Sequence, residues 1–114
     1  MDCVPTEKCT YKKLPNIRFV QGDCKKYIED LVNCEVIFLD TDPHLGNDER
    51  EIVDQLSKKS YRGILICDDI YLNGSMKAFW QDVTLKKYDV TSYGHWSGTG
   101  IIVFDEQYIS VEVE

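Results

Sequence analysis

The sequence lacks the features that mark several whole classes of protein. None of its apolar runs approaches the roughly 18–20 residues that a membrane-spanning helix needs. The first five residues, Met1-Asp-Cys-Val-Pro5, contain neither a basic stretch nor an apolar one, so we expect no signal peptide and a cytoplasmic location. With 7 glycines and 3 prolines in 114 residues, collagen-like and low-complexity chains are excluded as well.

Basic residues are also in short supply. The chain has 13 lysines and arginines against 20 aspartates and glutamates, which gives a formal net charge of -7. Nucleic acids and anionic membranes attract proteins through a positive surface, so we expect neither as a partner. A divalent cation or a neutral small molecule suits this charge better.

The cysteines do not form a recognisable framework. There are 5 of them, an odd number, and no two are separated by only two residues. A disulfide scaffold and a structural zinc site are therefore not expected, and reduced thiols are the simpler interpretation.

Apolar periodicity predicts strands that alternate with helices. Residues 17–20 are predicted to form a short strand, and the apolar runs 35–39 and 64–67 are typical of strands buried on both faces. Helical spacing follows each of the three. Asn47 and Asn73 are the predicted N-caps of the second and third helices. Two further strands, 87–91 and 100–104, have no helix between them, which indicates a final antiparallel hairpin. This order predicts an α/β domain with a mostly parallel sheet.

Acidic residues stand where the predicted strands end. Asp23, Asp40 and the pair Asp68-Asp69 each follow a strand, and ligands of open α/β sheets bind at this carboxyl edge. Any one of them could be an ordinary capping aspartate. Asp40, Asp68 and Asp69 together are better explained by a hard divalent cation, because unpaired carboxylates in one place repel each other.

The same residues carry a family resemblance. Glu35-Val-Ile-Phe-Leu-Asp40, the run from Gly63 to Asp69 and Met76-x-x-Phe79-Trp80 resemble the C-terminal half of class I S-adenosylmethionine-dependent methyltransferases, in particular the metal-dependent O-methyltransferases of catechols and sugars. The resemblance covers about residues 16–104. It implies a Rossmann-like three-layer sandwich with strand order 3-2-1-4-5-7-6, truncated here to one partial domain over residues 1–114. An irregular lead-in, 1–15, and an edge strand or tail, 105–114, would flank it.

The resemblance also implies roles for individual residues. It places Mg²⁺ on Asp40, Asp68 and Asp69, and makes His44 a candidate base. S-adenosylmethionine would contact Gly22, Asp23 and Cys24 near its adenine and Asp2 at its ribose. The acceptor would be a small-molecule hydroxyl, as in a sugar or a catechol.

One family feature is missing from the sequence. No glycine-rich turn follows a first strand, and the only clustered glycines, Gly94, Gly98 and Gly100, lie between the last two strands. The chain is therefore expected to be either a fragment of a longer enzyme or a reduced relative. The alternative function is that of an inactive remnant that binds a metal or a partner, for example a second copy of itself through an open sheet edge. A receiver-like signalling domain is disfavoured, because its acidic pair would close the first strand rather than the third.

Overall fold

The apolar runs of the sequence form the strands of one mixed sheet. The computed structural model describes residues 23–41, 44–94 and 96–112. Its elements, in chain order, are a 3₁₀ turn Cys24–Tyr27, α1 Ile28–Leu31, β1 Val36–Leu39, α2 Asn47–Lys58, β2 Ile64–Asp68, α3 Gly74–Asp82, β3 Lys86–Asp89, a 3₁₀ turn Thr91–Tyr93 and β4 Thr99–Val103. The protein is thus an α/β domain, as predicted.

The strand order in the sheet is β1-β2-β4-β3. β1 pairs with β2 in parallel, with Val36 opposite Ile64. β4 runs antiparallel to both β2 and β3. Three strands therefore point one way and β4 points the other way. The predicted antiparallel pairing of the last two strands is confirmed, and β4 lies inside the sheet with β3 at its edge.

The core lies on one face of this sheet. Ile37, Leu65 and Ile102 are fully buried and belong to one apolar cluster with Ile52 of α2 and Phe79 of α3. The side chains that alternate with them on β1 point the other way, since Val36 is 50% exposed and Phe38 is 37% exposed. Among the described residues the helices cover only this one face, so the third layer of the expected three-layer sandwich is not formed by them.

The two predicted helix caps have different outcomes. Asn73 caps α3 as predicted, because its side chain accepts a hydrogen bond of 2.9 Å from the backbone N–H of Met76. The prediction for Asn47 is wrong: Asn47 is the first residue of α2, and Gly46 is the N-cap, with no side-chain cap bond. Gly46 has a φ of 84°, and a Cβ there would lie 3.0 Å from the backbone oxygen of Ser75. Close approach to α3 in a left-handed conformation therefore requires glycine at this position.

The first and last described segments are less regular than the sheet and the helices packed on it. The helix predicted to follow the first strand is divided into a 3₁₀ turn and a single turn of α-helix. Residues 109–112 carry no strand, whereas the predicted strand 17–20 and the lead-in 1–15 lie outside the described residues.

Cys34 and Cys67 are free, as expected, and Cys24 is disulfide-bonded, so the expectation of reduced thiols is wrong there. None of the helices in the described ranges has the length and apolar character that a membrane crossing requires.

Candidate functional site

Parallel pairing of β1 and β2 brings the predicted acidic residues to one edge of the sheet. Leu39 and Cys67 are partners in the register of the two strands. Asp40 follows β1 directly, Asp68 is the last residue of β2, and Asp69 follows it. The sequence prediction that these residues converge at the carboxyl edge is therefore consistent with the strand register.

Three side chains meet closely at this edge: those of Asp40, His44 and Asp69. One ligand atom from each lies within 4.8 Å of the others, a spacing that could hold a metal ion. His44 Nε2 is 2.9 Å from Asp69 Oδ2 and 3.4 Å from Asp40 Oδ1. Nε2 is nevertheless buried without a hydrogen-bond partner. Both carboxylates are close enough to attract a positive charge, but neither lies where it could accept a hydrogen bond from the ring.

The conformation of Asp69 is held by the loop between β3 and β4. Asp69 has a φ of 62°, in the left-handed region that few residues other than glycine and asparagine adopt readily. Its backbone N–H donates a hydrogen bond of 2.8 Å to the carbonyl oxygen of Gly98. The hydroxyl of the buried Ser97 donates to Asp69 Oδ1. Since Ser97 engages Oδ1, it is the other oxygen, Oδ2, that lies nearest His44.

The loop that carries His44 is attached to the start of α3. The side-chain amide of Asn73 donates a hydrogen bond of 2.8 Å to the carbonyl oxygen of His44. The same side chain caps α3 through its oxygen. Asn73 therefore joins the loop after β1 to the helix after β2, and both loops of the site are positioned together.

Glu49 is a charged residue near this edge that sequence reasoning missed. It is only 3% exposed, its Oε2 accepts a hydrogen bond from the Thr41 hydroxyl, and its Oε1 is buried without a partner. The residue belongs to the first turn of α2, where negative charge at a helix N-terminus is ordinary. A signal was available, because Glu49 stands three and seven residues before Ile52 and Leu56 and so falls on the buried stripe of the helix.

Asp68 lies beside the three-residue cluster without belonging to it. Burial raises the pKa of the Asp68 carboxyl, and the nearby carboxylates of Asp69 and Asp40 raise it further. Asp68 is still on β2, where it alternates with the buried Cys67 and shares a strand face with Ile66. Asp69 has left the strand and turns toward the loops. That Asp68 binds the same ion as Asp40 and Asp69 stays a prediction.

The residues predicted to contact the cofactor are only partly described. Asp23 is exposed, and its side chain accepts a hydrogen bond of 3.0 Å from the backbone N–H of Lys25, at the start of the 3₁₀ turn. Cys24 is disulfide-bonded and packs against the core. Asp2 and Gly22 lie outside the described residues. The predicted cofactor contacts therefore stay predictions.

Gly98, just before β4, and Gly100, within β4, have structural roles. A Cβ on Gly98 would lie 2.6 Å from the Tyr71 ring, and one on Gly100 would lie 2.5 Å from the Trp80 ring. Trp96, next to Ser97, is 74% exposed. No family model, curated protein or solved structure significantly matches this chain.

Proposed function

We propose that this chain is a metal-dependent O-methyltransferase domain, or the part of one that lies away from the methionine end of the cofactor. The observation that carries the proposal is the strand order β1-β2-β4-β3, with β4 antiparallel to its neighbours. It agrees with the last four strands, 4-5-7-6, of the order that the family resemblance implies. Few topologies place the final strand between the two that precede it along the chain, so the agreement supports the proposal.

The residues at the carboxyl edge fit a divalent cation. His44 Nε2 is buried and lacks a hydrogen-bond partner, and two carboxylates lie within 3.4 Å of it. Asp40, Asp68 and Asp69 would hold the ion, as the family resemblance implies. A bound cation would lower the pKa of an acceptor hydroxyl, which is the chemistry that methyl transfer to oxygen needs. Ser97 and Asn73 would keep the two loops in position during the reaction.

The described residues do not fit S-adenosylmethionine by themselves. They include no glycine-rich turn between a strand and a helix, and Asp23 uses its carboxylate to cap the first 3₁₀ turn. The remaining contacts must come from residues outside the described ranges or from a second chain.

The acceptor fits best as a neutral small molecule with an apolar or aromatic body. Three apolar side chains in this part of the sequence are exposed: Leu45, Leu72 and Trp96. Leu45 follows His44, Leu72 comes three residues after Asp69, and Trp96 precedes Ser97. Exposed apolar side chains close in sequence to the acidic cluster favour a catechol-like hydroxyl over a charged acceptor. A sugar stays the other proposed class.

The alternative is an inactive domain that binds a metal or a partner, as the missing glycine turn suggests. β1 pairs with only one strand among the described residues, which leaves its outer edge for a second copy of the chain. The alternative predicts metal binding without cofactor binding.

Titration calorimetry with S-adenosylhomocysteine, with and without Mg²⁺, separates the two functions. Micromolar binding would support the methyltransferase, and acceptor hydroxyls would then be screened. A folded protein that binds no S-adenosylhomocysteine in either condition would leave only the alternative.

Variants of the site test its metal. We expect Asp40→Asn and Asp68→Asn each to abolish Mg²⁺ binding. Asp54→Asn is the matched control, because Asp54 lies on the surface of α2 and pairs with Lys58, 2.9 Å away. Unchanged Mg²⁺ affinity in both site variants would end the proposed Mg²⁺ site.

A further inference from the structure

We propose that His44 is itself a metal ligand, through Nε2, and that the cluster Asp40–His44–Asp69 prefers a first-row transition-metal dication such as Mn²⁺ to Mg²⁺. This inference rests on the metal site of the proposed function and changes its ion. It also gives His44 a role other than that of the predicted base.

The first support is the environment of the imidazole. The His44 side chain is 16% exposed, and its Nε2 is inaccessible to water and makes no hydrogen bond. A histidine that only formed an ion pair with Asp69 would direct an N–H at one carboxylate oxygen. Here the oxygens of two carboxylates lie at 2.9 and 3.4 Å without that alignment. A cation between the three side chains would satisfy the ring nitrogen and both carboxylates at once.

The second support is that each ligand is held by a neighbour. Ser97 donates a hydrogen bond to the Asp69 oxygen that does not face His44, and Asn73 donates one to the His44 backbone. Metal ligands in proteins are usually oriented by such outer hydrogen bonds, which keep the ligand atoms directed at the ion.

The chemistry of the ligands determines the preferred ion. Mg²⁺ binds oxygen ligands and keeps several waters, whereas Mn²⁺, Fe²⁺, Co²⁺ and Zn²⁺ also accept an imidazole nitrogen. Replacing one carboxylate oxygen by Nε2 therefore favours the transition metals. Three protein ligands leave further positions of the ion to water or to an acceptor hydroxyl.

The direct test is pulsed electron paramagnetic resonance of Mn²⁺ bound to the whole protein. We expect nitrogen coupling to Mn²⁺ in the wild type, altered by ¹⁵N-histidine labelling and absent in His44→Ala. Mn²⁺ that binds the wild type with water and carboxylate ligands only would overturn the inference. This measurement on the wild type does not depend on whether a variant folds.

Calorimetry with Mn²⁺ and Mg²⁺ gives the second test. Loss of even an outer partner of a metal ligand costs about tenfold or more in affinity, so His44→Ala should weaken Mn²⁺ binding at least that much and Mg²⁺ binding less. His44→Asp supplies a carboxylate oxygen in place of the imidazole nitrogen. It should therefore reduce the ratio of Mn²⁺ affinity to Mg²⁺ affinity. Asp54→Asn should change neither affinity. Equal losses for the two ions in His44→Ala would overturn the inference.

The outcomes for this inference and for the proposed function are distinguishable. Nitrogen-coupled Mn²⁺ in a protein that binds no S-adenosylhomocysteine would keep the inference and end the methyltransferase proposal. Binding of S-adenosylhomocysteine without nitrogen coupling would do the reverse.

Discussion

At the scale of single residues, the contact between Gly100 and Trp80 determines how closely α3 can approach the sheet. A Cβ on Gly100 would lie 2.5–2.6 Å from two carbons of the Trp80 ring, closer than real Cβ contacts allow. Trp80 is buried in the core, so its ring has little room to move aside. The absence of a side chain at position 100 is therefore a packing requirement and explains the glycine within β4.

We expect Gly100→Ala to lower the free energy of unfolding by about 1–3 kcal/mol, as overpacking of a core does. Denaturant unfolding measures the loss, and Trp80 emission should shift as its surroundings rearrange. Gly74→Ala is the matched control, because a Cβ at Gly74 meets nothing within 4 Å. A Gly100→Ala protein as stable as the control would show that the Trp80 ring adapts without cost.

The buried carboxylate of Glu49 is the other residue-scale feature that matters for the site. It accepts a hydrogen bond from Thr41, the residue after Asp40, and so connects the first turn of α2 to the loop that carries a predicted metal ligand. The negative charge of Glu49 also affects the buried thiol of Cys67. Burial raises the pKa of that thiol, and the Glu49 charge raises it further. We expect Cys67 to react with thiol reagents only after unfolding.

At the scale of elements, the end of α2 is a Schellman motif built with serine. The N–H of Tyr61 donates to Leu56 O over 3.0 Å, and the N–H of Ser60 donates to Ser57 O over 3.1 Å. Ser60 has a φ of 57°, the left-handed conformation that glycine usually supplies at this position. The helix therefore ends by a standard hydrogen-bond pattern with an unfavourable residue in it.

Ser60→Gly should stabilise the protein by about 0.5–1 kcal/mol, because glycine adopts the left-handed conformation without a steric penalty. The free energy of unfolding in urea checks this. Ser57→Gly, three residues earlier inside α2, should instead destabilise by about 0.5 kcal/mol. If both variants lost stability, the left-handed conformation of Ser60 would not carry a steric cost that glycine removes.

Arg62, at the end of the β1–β2 crossover, contacts the segment after β4. Arg62 Nε lies 3.1 Å from Asp105 Oδ2, and its guanidinium is 4.3 Å from the centre of the Tyr108 ring. The Arg62 hydrogen bond holds the pKa of Asp105 below its ordinary value, and backbone N–H groups of Gln107 and Tyr108 lower it further. The stability that this carboxylate contributes is therefore present above the unfolded pKa and is lost as the pH falls through the folded one.

We expect Arg62→Gln to raise the pKa of Asp105 toward its ordinary value without reaching it, because the two backbone donors remain. An NMR titration of the Asp105 carboxyl carbon measures the change. Lys58→Gln, which breaks the exposed pair with Asp54, should leave Asp105 unaffected. A constant pKa for Asp105 in Arg62→Gln would assign the shift to the backbone donors alone.

At the scale of the whole molecule, the sheet has one covered face and one partly open face. Ile37 is fully buried under the helices, whereas its neighbour Val36 is 50% exposed on the opposite face. Two adjacent apolar residues of one strand therefore differ in how much surface they remove from water.

This difference predicts unequal costs of truncation. Ile37→Ala should lower the free energy of unfolding by about 2–5 kcal/mol, the usual cost of emptying a core position. Val36→Ala should cost less than about 1 kcal/mol because half of the side chain already contacts water. Denaturant unfolding of both variants compares them directly, and similar losses would mean that the second face is covered in solution.

Local patterns in the sequence were sufficient to predict most elements of this domain. Strand and helix periodicity depend on neighbours along the chain, so β1, β2, α2, α3 and the antiparallel final strands could be predicted from residues 35–104. The carboxyl-edge position of Asp40 and Asp69 followed from the same order of elements, because parallel strands end at the same edge. The caps show the limit: Asn73 was predictable, but the choice of Gly46 over Asn47 depends on close contact with Ser75.

Only the tertiary structure decided which side chains meet. Ser97 is 28 residues from Asp69 and Asn73 is 29 residues from His44, and no periodicity relates residues so far apart. The clustering of His44 with two aspartates is of the same kind. Local propensity acts over a few residues, whereas these contacts arise from packing the helices on one face of the sheet and closing the loops over its edge.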